Sequence, residues 1–161
     1  MPFNHAAAAA YARKWAISGN PDYPPFDNDC TSFVSQAMLA GGWSMIGGDV
    51  FDRTKDDVWW YGKSNFTRAS YTWAGAENFS HFVTTSGRGA RELDLMKLDE
   101  GDVIQIKFAG KSEIGHSMVI TKKSSAELFL SYHSVAKLDE PLSAIKARNA
   151  GAEFFGWRIK P

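Results

Sequence analysis

The spacing of apolar residues changes period partway along this chain, and that change constrains the fold more than any other feature of the sequence. Ala8, Tyr11, Ala12 and Trp15 recur at helical spacing, as do Phe33, Val34, Ala37 and Met38, and then Ala76, Phe79, Phe82 and Val83. From Val103 onward the pattern alternates, in Val103–Phe108, His116–Thr121, Leu128–His133 and Glu153–Ile159. Helices first and strands later exclude a regular βαβ order and predict an α+β domain with N-terminal helices packed on an antiparallel sheet. Asn4 is placed to cap a first helix over Ala6–Ile17, and a third helix is expected over Trp73–Thr84. A short one over Pro141–Arg148, capped by Asp139, interrupts the strands. Residues 43–71 show no sustained period and read as a long loop with aromatic anchors. Trp59 and Trp60 in it either line a substrate groove or pin the loop as buried side chains.

With 161 residues, 44% of them hydrophobic and 14% aromatic, the chain forms one domain, 1–161, with a real core. Eighteen basic residues balance eighteen acidic ones, so no global field attracts nucleic acid or an anionic membrane. No apolar run approaches the roughly 18 residues of a membrane span. Met1-Pro2-Phe3-Asn4-His5 has no basic n-region, so the N-terminus is not expected to be a signal peptide. The chain then either works in a cytosol or is one domain of a longer exported polypeptide. One cysteine excludes an internal disulfide.

That cysteine, Cys30, lies between a breaker-rich loop, Ser18–Asp27, and the helix ended by Gly41-Gly42. Cys30 is therefore expected at a helix mouth, where free backbone N–H groups and the macrodipole favour a thiolate nucleophile. The plainer alternative is a small buried hydrophobe. Two of the four histidines, His116 and His133, begin and end neighbouring strands. A turn centred between Ser124 and Ser125 would pair them directly across the hairpin. Cys30 would then be the nucleophile, one histidine the base and the other its orienter, with either histidine able to take either role by geometry alone. A zinc site of Cys30, His116 and His133 is the rival arrangement, though no short-spaced ligand pair supports it, and no metal or other cofactor is expected.

The blocks Ala8–Ala16, Asn20-Pro21-Asp22-Tyr23, Asp29–Ala37, Ala40-Gly41-Gly42, Gly101–Gln105 and His116–Thr121 resemble, in order, those of the bacterial putative amidase domain family. That family is similar to NlpC-type and CHAP cell-wall hydrolases and so to papain-like cysteine hydrolases. The Asp-Cys-Thr-x-Phe-Val-Ser-Gln block is its specific part. The resemblance implies a papain-like fold, Cys30 as nucleophile, His116 as base and His133 as the polar third member. Gly115 stands where family members commonly carry an acidic residue, and 47–62 matches no family pattern. The Cys30 backbone N–H is expected to stabilise an oxyanion together with Asn28 or Tyr23. The resemblance also implies a C-terminal toxin domain of a larger polypeptide that cleaves a protein inside a target bacterium and is restrained by a cognate inhibitor protein. A cell-wall peptide amidase and a non-catalytic binding module on the same fold are the alternatives.

Overall fold

A computed structural model describes residues 2–62 and 68–161. Four α-helices precede the sheet: α1 (His5–Trp15), α2 (Cys30–Gly41), α3 (Tyr71–Ala74) and α4 (Ala76–Ser86). They are followed by β1 (Gly89–Glu92), β2 (Val103–Lys107), β3 (His116–Lys123), β4 (Leu128–Tyr132), β5 (Lys137–Pro141), α5 (Leu142–Arg148) and β6 (Glu153–Ile159). The strands form one sheet in the order β1-β6-β2-β3-β4-β5 with every neighbour antiparallel. The α+β expectation holds.

Alternation along the strands divides the interior in two. Val103, Val119, Trp157 and Ile159 join a core with α1, α2 and α4, where Phe33, Met38, Trp59, Trp73, Phe79 and Phe82 are buried. Ile104, Ile106, Met118, Ile120 and Leu130 face the opposite way and pack with Leu98, Leu142 and Ile145. The first four helices thus cover one face of the sheet, as expected, while α5 covers the other.

Local chemistry accounts for the element ends. The Asn4 side chain accepts a hydrogen bond from the Ala7 N–H at 2.9 Å. Gly42 closes α2 in the left-handed region, with φ 117°. The third helix expected from the sequence is broken at Gly75 into α3 and α4. Asp139 does not cap α5; it lies in β5, where it accepts a 2.6 Å hydrogen bond from the Thr121 hydroxyl.

Two expectations need correction. Trp59 and Trp60 are buried, and their indole N–H groups donate to Ser35 Oγ (3.0 Å) and Asp52 Oδ1 (2.9 Å). They pin the 43–71 segment, of which 63–67 lie outside the described residues, and do not line a groove. The hairpin register also differs. The turn runs from Ser124 to Glu127, closed by the Ser124 N–H on the Glu127 carbonyl (2.9 Å), one position later than expected. Thr121 is then an extra residue between the Ile120↔Leu130 and Lys122↔Phe129 pairs, a bulge that takes back one step. Beyond it Val119 pairs with Ser131, so His116 and His133 are not partners.

Candidate active site

Gly19 at φ 69°, a turn in which Asn20 Oδ1 accepts from the Asp22 N–H (2.9 Å), and Pro21, Pro24 and Pro25 carry the chain away from α1. The chain then enters α2 at Cys30, the first residue of that helix, as expected from the sequence. α2 is buried almost all round, and its polar side chains are satisfied. Ser32 Oγ accepts from the Trp73 indole (3.0 Å), Ser35 donates to the Trp73 carbonyl (2.9 Å), and Gln36 accepts from Tyr11 OH (2.6 Å). Thr31 and Ser117 share a 2.8 Å hydroxyl hydrogen bond, which ties the neighbour of Cys30 to β3. The Gln105 amide extends that tie to the Ala76 carbonyl, and the Trp157 indole N–H donates to its oxygen.

Cys30 is only 2% exposed. Burial pushes its thiol up, against the N–H of Ser117, the hydroxyl and N–H of Thr31 and the Ser134 hydroxyl, all of which favour the thiolate. The helix mouth alone had suggested the opposite direction. Desolvation is the larger effect.

His116, the first residue of β3, lines a cavity of about 530 Å³ with Asp27, Asn28, Tyr132, Ser134 and Arg148. Its ring meets Tyr132 edge-on, with centroids 4.7 Å apart and planes at 88°. Burial lowers its pKa from 6.5 to about 4, so the imidazole is neutral at physiological pH. Among the described residues its ring nitrogens have no hydrogen-bond partner, and the ring borders the cavity. Below it, Tyr132 OH donates to Glu140 at 2.5 Å, and Arg148 grips both Glu140 oxygens at 2.7 and 2.9 Å.

His133 lies on the helix side of the sheet. Its Nδ1 is 2.8 Å from Asp29 Oδ2, its Nε2 is 2.9 Å from the Trp15 carbonyl, and its ring stacks on Phe33 at 4.0 Å. Both nitrogens are thus engaged away from His116. Burial lowers the His133 pKa, but the hydrogen bonds it makes to the Asp29 carboxylate and the Trp15 carbonyl outweigh it and the net shift is upward. Cys30, His116 and His133 do not converge as a ligand set, and among the described residues no cluster of three or more His, Cys, Asp or Glu is arranged to hold a metal ion.

Asn28 and Tyr23, the oxyanion candidates, line different cavities. Asn28 lines the His116 cavity and accepts from the Ser134 hydroxyl at 2.6 Å, which leaves its amide N–H groups to donate. Tyr23 lines a second cavity of about 470 Å³ with Gln36, Asp29 and His133, and burial first and Tyr61 second push its phenol up. Sequence reading missed Asp29, Ser117, Tyr132 and Ser134. Only Asp29 had a local signal, as the acidic residue immediately before the cysteine.

The site thus has a buried cysteine at the mouth of α2, beside the Ser117 N–H, and a neutral His116 that lines the neighbouring cavity, with no hydrogen bond between the two among the described residues. The chain belongs to the family described as "Putative amidase domain", whose model matches residues 3–157. That membership assigns it, at a coarse level, to the amide-cleaving hydrolases. Two Bacillus subtilis (strain 168) proteins are similar to it, both themselves uncharacterised. YhbB is 29% identical over 129 residues, 78% of this chain and 39% of YhbB. YjcM is 26% identical over 160 residues, 92% of this chain and 35% of YjcM. The chain therefore spans between a third and two-fifths of these relatives. No solved structure matches it.

Proposed function

We propose that the protein is a cysteine-dependent amide hydrolase of papain-like chemistry acting on a peptide or protein. The observation that carries this reading is the placement of Cys30 at the first position of α2, against the backbone of the residue that follows His116. Neutral His116 takes the Cys30 proton as sulfur attacks the scissile carbonyl. The tetrahedral oxyanion is met by N–H groups at the helix mouth and by the Asn28 amide. Collapse breaks the C–N bond, and the His116 proton leaves with the amine. Water, deprotonated by His116, then cleaves the acyl-enzyme and returns the thiol. Family membership supports amide cleavage, and the His116 nitrogens, without a partner among the described residues and bordering the cavity, support its role as base.

The deciding experiment expresses wild type, Cys30→Ala and His116→Ala inside a bacterium, with and without an export sequence, alongside assays on peptidoglycan and on protein. Both substitutions should abolish turnover. Cys30-dependent growth arrest in the cytoplasm supports a protein-cleaving toxin domain that needs an inhibitor partner in its producer; arrest only on export supports a cell-wall amidase. Low exposure of Cys30 favours a second reading, a non-catalytic binding module. Ligand binding retained by Cys30→Ala, with no turnover in wild type, would establish that module.

A further inference from the structure

Asp29 occupies the N-cap position of α2, yet its side chain takes no N–H of the first turn. An aspartate there ordinarily accepts from the second or third helical N–H. The second belongs to Thr31, and that N–H favours the Cys30 sulfur instead. The Asp29 carboxylate is turned toward His133, 104 residues further along the chain, with Oδ2 2.8 Å from Nδ1. The other ring nitrogen is 2.9 Å from the Trp15 carbonyl oxygen at the end of α1. A carbonyl oxygen only accepts, and so does an ionised carboxylate; both ring nitrogens must therefore donate, and the ring is an imidazolium. Among the described residues Asp29 is the ionised group that faces it. Phe33 from α2 and Gly19 from the preceding loop are its other close neighbours, and Tyr23 in the adjoining cavity stays neutral.

We propose that His133 is a positioning residue: as an imidazolium it holds the Asp29 carboxylate off the mouth of α2, leaving the Thr31 N–H and the positive end of the helix dipole to the Cys30 sulfur. The idea rests on Cys30 being the nucleophile. It gives His133 a different task from orienting the base. Without His133 the carboxylate is free to cap its own helix, and a full negative charge then stands where the thiolate must form.

The test reads the Cys30 thiol directly, through the pH dependence of iodoacetamide alkylation in the whole chain. His133→Ala and the milder His133→Gln should raise the thiol pKa and slow alkylation near neutral pH by about tenfold, the scale of a charge at a helix end. Adding Asp29→Ala to His133→Ala should restore most of that rate, because the competing carboxylate has gone. A merely structural tie predicts no such rescue, since removing its second member cannot repair the loss of the first. Nitrogen NMR of wild type should show both His133 ring nitrogens protonated at neutral pH, a readout available even if the alanine variant does not fold. The proposal is overturned by an unprotonated ring nitrogen, by unchanged alkylation in His133→Gln, or by a double variant no faster than His133→Ala. Alkylation does not require turnover, so if Cys30→Ala keeps its hydrolytic activity the functional reading falls while the thiol measurement still stands.

Discussion

At the scale of single residues, burial sets the resting state of the site. It raises the Cys30 thiol and lowers His116 to about 4, so the pair rests as neutral thiol and neutral imidazole, unlike a preformed ion pair. In the mechanism proposed above, the proton moves during attack, when charge develops and the helix mouth can stabilise it. Two outcomes follow from the directions of these shifts. The acid limb of kcat/KM should fall near pH 4, well below the ~6.5 of an ordinary histidine, because the base stays unprotonated until then. Thiolate formation, followed by ultraviolet absorbance or alkylation, should have its midpoint above the usual thiol range. An acid limb near 6.5 together with a thiolate already present at neutral pH would mean that the ion pair forms after all. Cys30 was identifiable from the sequence because helix-mouth position depends on near neighbours. Its titration was not, because it is set by burial in the folded core and by hydrogen bonds from Ser117 and Ser134, which lie far along the chain.

Elements show the same division between local and distant information. The helices, four of the six strands and the cap at Asn4 follow from periodicity and near-neighbour chemistry. The two strands missed, β1 and β5, are short edge strands whose partners, not their own alternation, make them strands. The hairpin failed for a different reason. Its strands were evident, but a turn displaced by one residue and the bulge at Thr121 decide which side chains share a face, and neither has a sequence signature. His116 and His133 thus fall on opposite sides of the sheet, and Tyr132 takes the place beside His116. The Gly101-Asp102 block, noticed as family pattern, proves to be a tie between elements. Asp102 is buried and accepts from the backbone N–H groups of Asp99 and Ile159, both at 2.9 Å, while Gly101 sits at φ 88°. A Cβ on Gly101 would lie 2.5 Å from the His5 carbonyl oxygen, so the start of α1 rests directly on this turn. Gly101→Ala should therefore destabilise the fold by about 2 kcal/mol or more, from steric overlap and a left-handed backbone acting together. Denaturant titration measures it, and a loss under about 0.5 kcal/mol, the range of ordinary surface changes, would contradict this account.

For the whole molecule, the sheet is a wall between two cores, and His116 stands at the start of β3, a strand in the interior of that sheet. One histidine belongs to each side, and their linkages to stability have opposite signs. His116 has a folded pKa depressed to about 4 from 6.5, so between those values the unfolded chain binds more protons and stability falls as pH falls. The full effect is at most about 3 kcal/mol, from a shift of that size at 1.36 kcal/mol per pKa unit. His133 has a folded pKa raised above its unfolded value, so its contribution is present below 6.5 and is lost as pH rises through the raised value. Asp102, raised chiefly by burial, opposes the His116 trend on the acid side, which makes the total curve a poor test. Difference curves separate the contributions. Wild type minus His116→Leu should slope upward with pH between about 4 and 6.5 and be flat above. Wild type minus His133→Gln should be flat below about 6.5 and slope downward from there through the raised value. If the two difference curves had the same sign of slope, the assignment of His116 to the neutral state and His133 to the charged state would fail, and with it the division of labour between the two faces of the sheet.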